Sequence, residues 1–277
     1  MATAEQLIAT RYAQPSKVYF MAGQSNMEGR DVDGTSLSSR ANDATIYEYR
    51  NIDGAGRNTY LTNYPSGGPL DNFGPNVGAL RTLRAAGEAD SYVIRYAVGG
   101  TACPSFLPES QRLMTPQTDL PSGDVDQSAN IKYYFNAATS DMLMRDFRSV
   151  SSSVLVWYQG AEDSKYNGGQ AYAQDLSGFY ETHLTRLIAY LKGSVNELKG
   201  SSAVVVIRSP DWNANTPGSK PYQDIVRAAQ VSVAEADPTA QWLTSDINQS
   251  VTTTWEDASH IDAASQERLG IDLAAIV

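Results

Sequence analysis

The chain has 277 residues, enough for one large domain or two small ones with a full hydrophobic core. Its 31 acidic against 21 basic side chains leave a formal charge of −10, which repels nucleic acid and anionic membrane surfaces at long range. Cys103 is the one cysteine, which excludes an intrachain disulfide and a cysteine-rich structural zinc site, and His183 and His260 are the only candidates for imidazole chemistry.

Residues 1–14 lack the basic start and apolar stretch of a signal peptide. The longest apolar runs, 18–22, 187–191 and 203–207, are far short of a membrane span. The expectation is a soluble chain, either free-standing or a domain of an exported protein. Residues 1–16 read as an N-terminal extension and 17–277 as a single domain, with no internal repeat and no linker. Strands are expected over 17–22, 45–50, 92–98, 154–159, 203–209 and 241–243. Several are apolar on both faces, as parallel strands covered on both sides must be. Helices are expected over 77–86, 136–147, 222–236 and 265–276. A further helix runs through Leu176, Phe179, Tyr180, Leu184, Leu187, Ile188 and Leu191, which keep the spacing of one helix face, with Gly193 as its expected stop. Strand and helix alternate throughout, so the expected fold is an α/β three-layer sandwich. The stretches 51–76 and 104–128 are long and rich in turn-forming residues. Ligands of such folds bind beyond the carboxyl ends of the strands, where loops gather. Tyr60, Tyr64 and Phe73 would offer stacking surfaces there, and the excess of 16 Tyr over 6 Phe suits a wet ligand such as a sugar.

Directly after the first strand comes Gly23-Gln24-Ser25-Asn26-Met27. A serine at that place can expose its hydroxyl at the sheet edge, or serve only as a helix N-cap. The segment is not a Gly-x-Ser-x-Gly elbow, because Met27 stands where the second glycine would be. Near the C-terminus Asp257 and His260 are three residues apart, so an aspartate could orient an imidazole base. The competing His183 falls inside the amphipathic helix and is expected to be structural. Oxyanion donors could come from the glycines of Val98-Gly99-Gly100-Thr101 and from the Gln159 amide of Trp157-Tyr158-Gln159-Gly160, each closing a strand. Cys103 as nucleophile is a competing reading, but the chain places no second histidine to activate it. Phosphate-loop and His-Glu-x-x-His patterns are absent, and the carboxylates of 119–126 lack the order of a calcium loop.

Gly-Gln-Ser-Asn-Met, Gly-Gly-Thr, Trp-Tyr-Gln-Gly and the late Asp-x-x-His occur in an order that resembles the SGNH-hydrolase superfamily. More narrowly, the chain resembles its sialate O-acetylesterase-like branch, carbohydrate esterase family six. Phe73-Gly74-Pro75 and Arg227-Ala228-Ala229-Gln230 are similar to that branch too. The resemblance implies a flavodoxin-like α/β/α fold with a mostly parallel sheet, and cofactor-free, metal-free removal of O-acetyl groups from carbohydrates. It implies Ser25 as nucleophile, His260 as base and Asp257 as its orienter. The oxyanion hole would be the Ser25 and Gly100 N–H groups with the Gln159 side chain. Gln24, Asn26, Gly99, Tyr60 and Tyr64 are the expected substrate contacts. The expected partner is an acetylated carbohydrate, with no nucleic acid, no membrane and no oligomeric state specified. Alternatives are a binding module that has lost catalysis and a general small-ester hydrolase. One departure stands out: Ala161 follows Gln159-Gly160 where the family commonly has Glu, with Glu162 and Asp163 next.

Overall fold

The computed structural model describes residues 15–29, 47–51, 59–63, 73–88, 91–113, 126–146, 149–165, 170–211, 219–246 and 260–277. Its strands are β1 (Pro15–Gly23), β2 (Tyr47–Asn51), β3 (Thr59–Asn63), β4 (Ser91–Ala97), β5 (Ser149–Tyr158), β6 (Ala203–Arg208) and β7 (Ala240–Thr244). The helices are α1 (Ser25–Glu28), α2 (Asn76–Ala85), α3 (Ser128–Asp146), α4 (Gln170–Ser194), α5 (Lys220–Ala236) and α6 (Ala263–Ile276).

The strands form one sheet in the order β3-β2-β4-β1-β5-β6-β7, parallel throughout except for the antiparallel pair of β2 and β3. Without the β2–β3 hairpin, the order β4-β1-β5-β6-β7 is the doubly wound 2-1-3-4-5 arrangement of flavodoxin-like folds. Chain direction reverses across the sheet between β1 and β5, and the crevice at that switch point is where such folds bind ligands.

Alternation along β1 builds the core on both faces. Val18, Phe20 and Ala22 pack with Phe135 of α3, Leu184 of α4 and Val226 of α5. Tyr19 and Met21 face the other way, with Leu80 of α2 and Leu269 of α6. Phe20 meets Phe135 at a ring separation of 5.1 Å, and Phe106 stands perpendicular to Trp157 at 5.2 Å. Burial of each such side chain contributes about 1.5–3 kcal/mol. Helices α2 and α6 approach through Gly78 and Gly270, where a Cβ on Gly270 would lie 2.0 Å from the Pro75 carbonyl oxygen. None of the described helices is long and apolar enough to cross a membrane.

Four elements differ from the sequence expectation, among them β5, which starts at Ser149 rather than 154. Strand β3 lies within the stretch read as loop; Thr59-Tyr60-Leu61-Thr62 has the β-branched and aromatic content of an edge strand but is too short to announce itself. Helix α3 starts at Ser128 rather than 136, because the Asp126 carboxylate accepts both the Ser128 N–H and its hydroxyl and so caps the helix start. Gly193 lies within the last turn of α4, which ends at Ser194.

His183 has the structural place its helix position suggests. It is fully buried on α4, and its Nε2 accepts the Leu113 N–H at 2.9 Å, holding residues 107–113 against the helix together with the bond from Arg186 Nη1 to the Gln111 carbonyl at 2.6 Å. Burial, with Arg186 next, pushes the imidazole down from 6.5 to about 4. The fold therefore favours the neutral ring, whereas the unfolded chain takes up a proton below pH 6.5. The stabilisation is complete above that value and declines by about 3 kcal/mol as the pH falls towards 4. Denaturant unfolding near neutrality and again in mild acid checks this: His183→Gln is expected to lose less stability on acidification than the parent. Equal losses would remove His183 as the cause.

Candidate active site

The site is built where β1, β4 and β5 end side by side. On leaving β1 the chain is tied to both neighbours: the Val98 N–H bonds the Gly23 carbonyl at 3.0 Å, and the Gln24 N–H bonds the Tyr158 carbonyl at 3.2 Å. Gly23 is obligatory, since a Cβ there would stand 2.0 Å from the Tyr158 carbonyl oxygen. Ser25 opens the single turn of α1, which Gly29 closes in the left-handed conformation at φ 75°. As the first helical residue, Ser25 has an N–H that no carbonyl of its own helix can accept. Ser25 keeps 7% of its surface exposed, and no hydrogen bond joins its hydroxyl to the described residues. The hydroxyl is not the helix cap; that place belongs to Gln24, which makes no side-chain cap.

Beneath α1 lies a buried ion pair. Arg95 on β4 donates from Nε to Glu48 Oε1 at 2.5 Å, and both side chains are essentially inaccessible. Its Nη1 reaches the carbonyls of Met27 at 2.9 Å and Glu28 at 2.6 Å. A guanidinium presents several donors in a rigid fork, so one side chain can serve the carboxylate and the helix end together.

The histidine segment is fastened to the same turn. The Ile261 N–H donates to Asn26 Oδ1 at 3.2 Å, and Gln266 Nε2 donates to the Asn26 carbonyl at 2.8 Å. Asp262 caps α6 by accepting the Ser265 N–H at 2.8 Å. His260 therefore sits one residue before a backbone group bonded to the residue that follows Ser25. The chain spans 235 residues between the two bonded partners.

On the β5 side, Gln159 is 1% exposed and held at both ends. Its carbonyl accepts from Tyr180 Oη at 3.0 Å, Ser209 Oγ at 3.1 Å and Gln230 Nε2 at 2.5 Å. Its Nε2 faces Asp163 Oδ2 at 2.5 Å, the Thr101 carbonyl at 3.0 Å and Gln24 Oε1 at 3.1 Å. The Gln24 oxygen is itself assigned by two backbone donors, Gly160 N–H at 3.2 Å and Glu162 N–H at 3.3 Å. Gly100 turns at φ 69°, and a Cβ there would meet open space, so the backbone after β4 faces the edge unobstructed. Beside these groups lies a shallow dent, too tight to admit a water molecule, lined by Gln24, Asn26, Tyr158, Gln159, Ala161, Ser209 and Pro210, all uncharged.

Ser25, Gln24, Asn26, Gly99, Gly100, Gln159 and His260 thus come from three strand ends and one C-terminal segment to a common edge. Gln24 and Asn26 are 3% exposed and spend their side-chain oxygens on internal bonds. Asp257 and Tyr64 lie outside the described residues, as does the side chain of Tyr60. Tyr60 belongs to β3, which β2 and β4 separate from β1 by three strand spacings, or about 14 Å. Cys103 is fully buried, and burial together with Asp163 pushes its thiol well above the usual range, so it stays protonated and unreactive.

A model of the sialic acid-specific acetylesterases, a family of carbohydrate esterases, matches residues 15–277. The chain belongs to this family. It is therefore a carboxylic ester hydrolase. Among solved structures, the esterase is similar over 94% of its length to a protein from Arabidopsis thaliana, covering 97% of that chain at 15% identity and TM-score 0.60. It is similar over 93% of its length to a carbohydrate acetylesterase from Xanthomonas citri, covering 54% of that chain at 16% identity and TM-score 0.61. NanS is similar over 94% of the esterase and 95% of its own chain, at 12% identity and TM-score 0.55. At such identities the likeness speaks for the α/β/α fold. No curated protein sequence matches the chain.

Sequence reasoning missed three residues that shape the site of the esterase, Glu48, Arg95 and Gln266, and named Asp163 only as a neighbour of Ala161. Arg95 carried a signal, a charge inside the apolar run Tyr92-Val93-Ile94-Arg95-Tyr96-Ala97, and Glu48 stands likewise between Tyr47 and Tyr49. Gln266 carried none, since a glutamine on a helix is ordinarily solvated.

Proposed function

We propose that this esterase removes O-acetyl groups from carbohydrates through an acetyl-serine intermediate. Ser25 Oγ attacks the acetyl carbonyl while His260 takes its proton, and His260 then protonates the departing sugar oxygen. Water activated by His260 next attacks the acetyl-serine and releases acetate, restoring the serine hydroxyl. Asp257 is assigned to orient His260, and the Ser25 N–H, the Gly100 N–H and the Gln159 amide to receive the negative oxygen of each tetrahedral intermediate. The observation that carries this reading is the bond from the Ile261 N–H to Asn26, which fastens the histidine segment to the serine turn. Gln24 and Asn26 act as supports for the turn, and Gly99 and Gly100 are the backbone nearest an incoming ester.

Acetate release from a panel of acetylated glycans tests the assignment, with the Ser25→Ala protein as control. The charge of −10 favours neutral acetylated glycans over sialylated ones. Release from none of the panel would overturn the activity, and equal release by Ser25→Ala would overturn the serine mechanism. Gln159→Ala is expected to raise the barrier by about 3 kcal/mol, roughly a hundredfold in kcat, the usual cost of losing one oxyanion donor. Undiminished turnover would remove Gln159 from the site.

A further inference from the structure

Of the two carboxylates that follow Ala161, only one turns inward. Glu162 is partly exposed and pairs with Lys165 at 2.8 Å. Asp163 is fully buried. Its Oδ2 accepts from Gln159 Nε2 at 2.5 Å, and both of its oxygens lie 3.1 Å from the Cys103 backbone nitrogen. Cys103 ends the short segment that begins at Gly100. One carboxylate thus joins the turn after β4 to the side chain that closes β5, the two places proposed to supply oxyanion donors besides Ser25.

Proton count gives this contact a consequence. Gln159 Nε2 carries two hydrogens and faces three acceptors. The charged, shortest contact holds one hydrogen on Asp163. The other is shared between the Thr101 carbonyl, in the Gly100 segment, and Gln24 Oε1, directly before Ser25. That second hydrogen is therefore aimed between the two turns whose N–H groups are the other donors. Both of its present acceptors are neutral, so an anionic oxygen arriving between the turns competes well for it.

We infer that Asp163 is the positioning residue of the oxyanion site: it fixes the Gln159 amide so that one hydrogen faces the developing charge, and it anchors residues 100–103 in register with it. The inference rests on the serine-esterase reading above and assigns the inward carboxylate of this chain its work in the absence of a glutamate at Ala161. Asp163→Asn is the isosteric probe. An asparagine oxygen in the Oδ2 place still reaches Gln159 Nε2 and the Cys103 nitrogen, but the side chain no longer carries a charge, and its amide in the Oδ1 place opposes the Cys103 N–H.

The test is a double-mutant cycle on p-nitrophenyl acetate, with thermal unfolding recorded for every variant. Asp163→Asn is expected to lower kcat roughly 10- to 100-fold with KM changed less than about twofold. In a Gln159→Ala background the same change is expected to alter kcat less than about threefold, because its partner is already gone. A folded Asp163→Asn protein with unchanged kcat, or the same factor of loss in both backgrounds, would overturn the inference. If Asp163→Asn does not fold, Asp163→Ser carries the same cycle, since it removes volume and retains one acceptor. Acetate release by the parent and its loss in Ser25→Ala separate a failure of the esterase reading from a failure of this one.

Discussion

Replacing Ser25 by alanine is expected to lower turnover at least ~10⁴-fold and to leave the melting temperature unchanged. The first part follows from chemistry: without the hydroxyl no acetyl-serine forms, and the remaining donors give only the residual rate that a triad enzyme keeps after losing its nucleophile. The second part follows from the local structure. Ser25 is not the cap of α1, and no hydrogen bond joins its hydroxyl to the described residues. Alanine is the most favourable helix residue, so the turn that carries the site has no reason to move. Steady-state acetate release and thermal unfolding on the same preparation decide the matter. A variant that keeps more than a few per cent of the activity sinks the nucleophile assignment, whereas one that loses activity together with its fold shows that the serine had a structural role.

Arg95→Met is the second large effect, and it is first an effect on stability. Removing the guanidinium takes from the buried Glu48 carboxylate its 2.5 Å ion pair with Arg95, and from the Met27 and Glu28 carbonyls the Arg95 Nη1 donor. Breaking a buried ion pair from one side costs about 3–5 kcal/mol, a large share of a stability of about 5–15 kcal/mol. In a chain of this size the melting temperature is expected to fall on the order of 10 °C. Turnover is expected to fall as well, because α1 carries Ser25 and its end is no longer held. The double variant Arg95→Met with Glu48→Leu separates the two consequences. With both charges gone, much of the stability is expected to return, since apolar replacements of a buried pair are often neutral. Activity is expected to stay low, because neither new side chain can donate to the Met27 and Glu28 carbonyls. Chemical denaturation of an Arg95→Met protein as stable as the parent would show that the pair contributes nothing, and recovery of full activity in the double variant would show that the helix contacts do not matter.

Much of the architecture could be read from the chain because it depends on local pattern. Period-two burial makes Val18, Phe20 and Ala22 one face of β1, and 3.6-residue spacing makes Leu184, Leu187 and Leu191 one face of α4. Strand β3 escaped because a run of five residues inside a turn-rich stretch is too short to show a period. The start of α3 escaped because it depends on a cap by Asp126 inside a polar stretch that otherwise reads as loop.

The site divides along the same line. By itself the sequence determined which groups stand at strand ends: Ser25 after β1, Gly100 after β4, Gln159 after β5, with His260 as the one histidine left once the helix claims His183. Strand order and crossover direction then oblige these ends to share one edge, whatever the side chains do. Tertiary structure alone decided which atoms meet there. The Asn26–Ile261 bond joins positions 235 apart, Arg95 reaches Glu48 across 47, and Asp163 reaches Cys103 across 60. Contacts of that kind are set by register, burial and the demand that every buried donor or acceptor find a partner, and none of these is written in the spacing of residues along the chain.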